Sequence, residues 1–173
     1  PRELYDRGIV PGIKVDKGTE PIEEGSKEMI TTGLIGLSER VHEDRHNYHT
    51  GFTKWRAVIR IDGDTLPTTH AIAENARRLA QFAKTSQEAG MVAIVEPEVL
   101  IDGTHSRLRS KAVLDETLGM TIRALTEHAV DLGGVIVKTN MALSGKETGK
   151  IDSPEDVAHD TIEVLMKNIP REM

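Results

Sequence analysis

Lys138 closes the run Gly133-Gly134-Val135-Ile136-Val137-Lys138. Three β-branched residues after two glycines read as a short strand covered on both faces, as in a parallel sheet. An ammonium at the end of such a strand is costly to desolvate, which lowers its pKa. A lysine that gives up its proton can attack a carbonyl and form a Schiff base. The competing reading is that Lys138 carries its charge out to solvent. Glu96 and Glu98 flank Pro97 at the end of the apolar run Met91 to Val95. Two residues apart on extended backbone, they point to one side. Mutual repulsion would raise one of the two pKa values into the range useful for acid/base work. The alternative is a solvated acidic loop. Lys54 and Arg56 share the basic face of Phe52 to Ile61, and Lys14 and Asp16 share a face of Gly12 to Asp16. Opposite charges placed like the second pair can satisfy each other, either at a site or on an exposed edge strand.

The elements that would carry these residues are legible from periodicity. Gly12 to Asp16 reads as a strand, residues 19–30 as a polar loop, and a helix capped by Thr31 or Thr32 runs to about Tyr48. In the next strand Trp55, Ala57, Ile59 and Ile61 alternate with Lys54, Arg56, Val58 and Arg60. Pro67 suits the start of a helix that runs from Ala71 to Glu88 and ends at Gly90. The third strand begins at Met91 and is expected to stop at Pro97, which lacks a ladder donor. A helix over Arg107 to Val130, the Val135–Lys138 strand and a loop over Gly145–Ile151 follow. A last helix is capped by Asp152 or Ser153, with Pro154 in its first turn.

Four strands thus alternate with four helices, the pattern of a parallel sheet covered by helices. Every strand carries ionisable residues in it or at its end. That points to one polar site at the C-terminal ends of the strands, as on the catalytic face of a (β/α)₈ barrel. No strand leads into a G-x-G-x-x-G turn, which disfavours a dinucleotide-binding sheet.

Composition excludes several classes. The chain of 173 residues is long enough for one ordinary domain. A net charge of −6 argues against a nucleic-acid surface built on overall basicity, and 3 % aromatic residues argue against a base-stacking platform. Cysteine is absent, so there is neither a disulfide framework nor a thiolate metal site. His42, His46 and His49 lie at roughly helical spacing but among Glu43, Asp44 and Arg45, as on a solvated helix end, and lack a third placed ligand. No apolar run spans a membrane.

Five ordered segments carry a family resemblance: Gly12-Ile13-Lys14-Val15-Asp16-Lys17-Gly18, Leu34 to Arg40, Lys54-Trp55-Arg56, Val95-Glu96-Pro97-Glu98 and Lys138-Thr139-Asn140-Met141. Together they resemble class I fructose-1,6-bisphosphate aldolase over essentially the whole chain. The resemblance implies an α/β fold, a TIM (β/α)₈ barrel, of which four βα units similar to its third to sixth strands are present, so that residues 1–173 form a partial barrel domain. It implies Schiff-base cleavage of fructose 1,6-bisphosphate to dihydroxyacetone phosphate and glyceraldehyde 3-phosphate, without metal or other cofactor. Lys138 resembles the Schiff-base lysine and Glu96 the acid/base of carbinolamine dehydration. Glu98 is similar to the adjacent active-site glutamate. Lys54 is similar to the lysine that keeps the Schiff-base amine unprotonated and assists carbon–carbon cleavage. Asp16 matches an active-site aspartate, and Lys14 and Arg56 resemble basic groups near the sugar and its 6-phosphate.

The resemblance also implies a cytoplasmic, glycolytic homo-oligomer, a tetramer or dimer. It departs from the family pattern at Thr139, where the family often has proline. Counterparts of the family's first-strand aspartate, its later Ser/Gly loop and its 1-phosphate arginine are missing. A full barrel needs eight βα units, and the chain begins at Pro1 without methionine. The expectation is therefore an internal portion of a longer chain, not an efficient aldolase by itself. The alternatives are another Schiff-base aldolase acting on a phosphorylated sugar, and a non-catalytic half-barrel binding protein.

Overall fold

Between Phe52 and Ile59 every second residue, Thr53, Trp55, Ala57 and Ile59, is buried, and the residues between them are half exposed. This period of two sets the layering of the molecule: one side of the sheet is covered and the other is open. The structure is a computed structural model that describes residues 1–173. A short helix α1 (Arg2–Asp6) precedes β1 (Gly12–Lys14), β2 (Thr19–Pro21), β3 (Met29–Thr31), α2 (Leu37–Tyr48) and β4 (Phe52–Ile59). Then come α3 (Thr69–Glu88), β5 (Val92–Val99), α4 (Arg107–Glu127), β6 (Val135–Val137) and α5 (Pro154–Asn168).

β1, β4, β5 and β6 form one parallel sheet in that order. Spatial order follows chain order, with a helix between successive strands. There is no reversal of strand order, the feature that marks a doubly wound sheet, so the units run on as in a barrel wall. The covered face packs on α3 and α4. Trp55 stacks on Phe82 with ring centroids 5.5 Å apart, amid Leu79, Ala83, Val95 and Leu125. Toward the other end of the strands, Ile59, Ile72, Val99, Leu114, Leu118 and Val164 form a second cluster that reaches α5.

The long helices start where side-chain caps can satisfy free N–H groups. Thr68 accepts from the Ala71 N–H, Ser106 from that of Arg109, and Ser153 from that of Asp156, with Pro154 at the first helical position.

The structure differs from the sequence expectation in five places, the last of them at β6. Residues 19–31 hold an antiparallel hairpin, β2 with β3, instead of a plain loop. Thr31 belongs to β3 and donates its hydroxyl to the Arg56 carbonyl, so α2 starts only at Leu37, after Gly36 in the left-handed region (φ 65°). Helix α3 is capped by Thr68, one residue beyond the expected Pro67. β5 runs through Pro97 to Val99. In a parallel strand N–H groups point alternately to the two neighbours. Val92 and Leu100 donate toward β4, to the Gly51 and Ile59 carbonyls, so the Pro97 nitrogen faces the β6 side, and β6 has ended there. The missing donor interrupts nothing.

β6 also departs from the expectation of a strand covered on both faces. It is the last strand of the sheet, with Val135 buried and Ile136 52 % exposed.

Candidate functional site

The register sets out the open face of the sheet. Lys14 lies beside Lys54, Arg56 beside Glu96, and Val58 beside Glu98. Ile94 lies beside Ile136, which puts Lys138 on the same face two residues on. Lys14, Asp16, Lys54, Arg56, Glu96, Glu98 and Lys138 therefore all belong to the uncovered face, in the C-terminal halves of the strands or just beyond them. The helices cannot reach them there, because the Trp55 side of the sheet takes up the packing.

Glu96 is the hub. Its side chain is 5 % exposed, and its two oxygens are divided between two strands. Lys138 Nζ donates to Oε1 from the β6 side, and Lys54 Nζ pairs with Oε2 from β4. Burial pushes the Glu96 carboxyl up, but the bonds from Lys138 and Lys54 outweigh it and leave the pKa below its ordinary value. This reverses the expectation that repulsion between Glu96 and Glu98 raises one of them. The two glutamates do share a face, but each meets a cation from the neighbouring strand, and Glu98 is bound by Arg56 Nε. The expectation that Lys138 is desolvated is corrected as well. Its side chain is 61 % exposed and its charge is matched to Glu96.

A second group adjoins the hub. Lys14 pairs with Asp16, whose side chain is buried and whose Oδ2 accepts the Arg56 backbone N–H at 3.2 Å. Lys14, Asp16, Arg56 and Val58 line a cavity of about 310 Å³ together with Gly18, Thr19 and Leu100. Gly18 has φ 93°, a backbone that favours glycine, and it lets the chain turn from β1 toward β2 at the rim. Sequence reasoning missed the Gly18, Thr19 and Leu100 part of this wall, since none of them carries a charge to betray it.

The histidines do not converge. His42 contacts the Ser38 carbonyl on its own helix, and the His49 ring stacks on Tyr5 at 4.3 Å. His159, Asp160 and Glu163 on α5 have the spacing of a cation site, but Asp160 is engaged by Arg107 and Lys111, and Lys111 also binds Glu163. No helix is long and apolar enough to cross a membrane.

Chemically, the open face offers an accessible primary amine, a buried carboxylate that holds it, a second amine on the same carboxylate, and a cation-lined cavity alongside. Fold and site together define a βα-barrel architecture organised around a lysine–carboxylate centre. Comparison with known proteins narrows this. The family described as "Glycolytic: Fructose-bisphosphate aldolase class-I" matches residues 1–173. The cytoplasmic isozyme 2 of fructose-bisphosphate aldolase from Pisum sativum is 43 % identical over 169 residues, which cover 96 % of this chain and 46 % of that protein. The non-muscle type from Lethenteron camtschaticum is also 43 % identical, over 96 % of this chain and 45 % of that one. The solved fructose-bisphosphate aldolase from Plasmodium falciparum, in complex with TRAP and a small-molecule inhibitor, superposes with a TM-score of 0.91 at 38 % identity over 98 % of this chain and 49 % of that one. The chain belongs to the class I fructose-bisphosphate aldolase family, the Schiff-base, metal-independent lyases, and it folds as consecutive βα units of their TIM barrel. It spans about half the length of the curated relatives it matches.

Proposed function

We propose that residues 1–173 act as one partial-barrel domain in the reversible cleavage of fructose 1,6-bisphosphate to dihydroxyacetone phosphate and glyceraldehyde 3-phosphate, through a Schiff base on Lys138. The observation that carries this reading is Glu96 bridging Lys138 and Lys54 on the open face. With its pKa held down, Glu96 starts as a carboxylate and can take a proton from the Lys138 ammonium. The freed Nζ forms a bond to the substrate carbonyl carbon as the carbonyl π pair moves onto oxygen, and one Nζ proton passes to that oxygen to give the carbinolamine hydroxyl. Glu96 returns its proton to that hydroxyl, which leaves as water, and an iminium remains. The iminium accepts the electron pair of the breaking carbon–carbon bond and becomes an enamine, while the hydroxyl on the departing carbon gives its proton to a general base and becomes the aldehyde carbonyl.

Lys54, on the other oxygen of Glu96, is the second amine at the reacting centre. In this reading it also assists the carbon–carbon cleavage. Glu98 holds Arg56 in place, and Asp16 holds Lys14 and the Arg56 backbone. Lys14 and Arg56 face the adjoining cavity and supply the charge that suits a sugar phosphate. The names of relatives as cytoplasmic or cytosolic isozymes support a cytoplasmic location. Assembly as a homo-oligomer, a dimer or tetramer, is part of the same reading.

The test is incubation of the expressed protein with dihydroxyacetone phosphate and borohydride, followed by intact mass and peptide mapping. A reduced adduct on Lys138 is the expected result. An adduct confined to another lysine would sink the assignment.

A further inference from the structure

We infer that Asn140 is a positioning residue for Lys138, its side-chain amide continuing the β5–β6 ladder where the backbones part. The inference deepens the Schiff-base reading and rests on it for its catalytic consequence. Four observations carry it. First, alternate N–H groups of β5 face β6: those of Val92 and Leu100 go to β4, so the nitrogens of Pro97 and Val99 face the other way. Second, the last backbone bond on that side runs from the Lys138 N–H to the Val95 carbonyl at 2.9 Å. β6 has ended at Val137, and Pro97 has no hydrogen to offer. Third, Val99 is 1 % exposed, so its N–H needs a protein partner. It finds Asn140 Oδ1 at 2.9 Å. Fourth, Asn140 Nδ2 donates to the Met141 carbonyl at 2.9 Å, which fixes which way the amide points.

The two bonds, Lys138 N–H to Val95 and Val99 N–H to Asn140, bracket Glu96 along β5 and bracket the Lys138 backbone along the departing chain. With only the first, the lysine would stand on the free end of an edge strand. With both, its backbone is held on either side of the reacting carboxylate, and the long exposed side chain starts from a fixed base.

Two variants separate this role from mere filling of space. Asn140→Leu keeps the volume and loses both bonds. Asn140→Asp keeps the acceptor for Val99 and loses only the donor. Two readouts are taken on the wild type and both variants. One is the rate of borohydride-trapped adduct formation on Lys138 with dihydroxyacetone phosphate across a pH series. The other is amide hydrogen exchange at Val99 and Lys138, which needs no substrate. Asn140→Leu is expected to slow trapping by about 10²-fold, the effect of misplacing a reacting group by an ångström, to change the shape of its pH profile, and to speed exchange at both amides. Asn140→Asp is expected to stay near the wild type in both.

Wild-type trapping and exchange in Asn140→Leu would overturn the inference. So would equal impairment of the two variants, because an acceptor would then not be what matters. If the wild type itself forms no adduct on Lys138, the functional reading fails. The exchange rates alone then support the holding role, if Asn140→Leu quickens them, or overturn it, if it does not.

Discussion

Two places in the molecule bury a carboxylate between two cations, and they do different things with it. Glu96 lies between Lys54 and Lys138 on the open face of the sheet. Asp160, with a side chain 7 % exposed, lies between Arg107 and Lys111 where α5 meets α4. At Asp160 every cation is shared. Arg107 also faces Asp152 at 3.7 Å and Asp156 at 3.4 Å, and Lys111 reaches Glu163 at 2.7 Å. The acids outnumber the bases and the groups are locked between two helices. At Glu96 the bases outnumber the acid, and one of them stands in solvent. A buried, doubly paired carboxylate is thus no mark of chemistry by itself. The mark is an incompletely engaged amine beside it on a face that no helix covers.

Removing single groups from the two settings tests that distinction. The largest effect is expected for Lys138→Met, which removes the amine and with it all borohydride-trapped adduct, while the melting temperature changes little, since Lys138 itself stands in solvent and the buried Glu96 keeps Lys54 as its partner. Next is Glu96→Gln. It keeps the shape and loses the proton relay, and it is expected to slow adduct formation by about 10²–10⁴-fold, the range for a general acid/base group. Asp160→Ala is the mirror experiment. It takes one partner each from Arg107 and Lys111, which keep Asp152, Asp156 and Glu163, and is expected to cost about 1–3 kcal/mol in denaturant unfolding, with adduct formation per folded molecule unchanged. If Asp160→Ala abolished trapping in a folded protein, the two clusters would be one functional unit and the comparison would fail.

The same contrast explains what could be read from the sequence. The period of two across Phe52–Ile59 separates Trp55, Ala57 and Ile59 from Lys54 and Arg56, so the covered and open faces were legible before any coordinates. The caps at Ser153 and Pro154 were legible for the same reason, because they depend on neighbours in the chain. The β2–β3 hairpin was not: strands of three residues carry too little pattern to distinguish from loop. Nor was the pairing at the site. Glu96 and Glu98 lie two residues apart along the chain and invite a reading in which they repel, but the register gives each a cation from another strand, and register is a long-range property. The role of Asn140 lay deeper still, since it depends on which way the Pro97 nitrogen faces.

A third buried ionisable group completes the series, because it has no partner at all. His105, in the loop between β5 and α4, is buried, and neither ring nitrogen finds a hydrogen-bond partner. Arg109 is the charge that faces it, with its own Nε unpartnered. Burial pushes the imidazole pKa down, and Arg109 adds to that. Glu96 is also pushed down, for the opposite reason, since its charged form is bound by Lys138 and Lys54 against the cost of burial. The two shifts act in separate pH windows. Near neutral pH and above, His105 is uncharged whether the chain is folded or not and contributes no slope. As pH falls through the ordinary histidine value of 6.5, the unfolded chain takes up a proton that the folded one resists, and stability declines until the folded imidazole also titrates. The slope cannot exceed one proton's worth, about 1.4 kcal/mol per pH unit. Glu96 loses its contribution lower down, as pH drops below the ordinary carboxylate value of 4.5 and through its depressed folded value. Unfolding free energies measured from pH 7.5 to 3.5 should therefore show two descents. His105→Phe is expected to remove the upper one and leave the lower; Glu96→Gln is expected to leave the upper one and make the lower shallower without removing it, because Glu74, Asp115 and Asp152 are held below their ordinary values too. If His105→Phe left the upper descent intact, the imidazole would have a partner after all, and the division into engaged and unengaged buried charges would have to be redrawn around it.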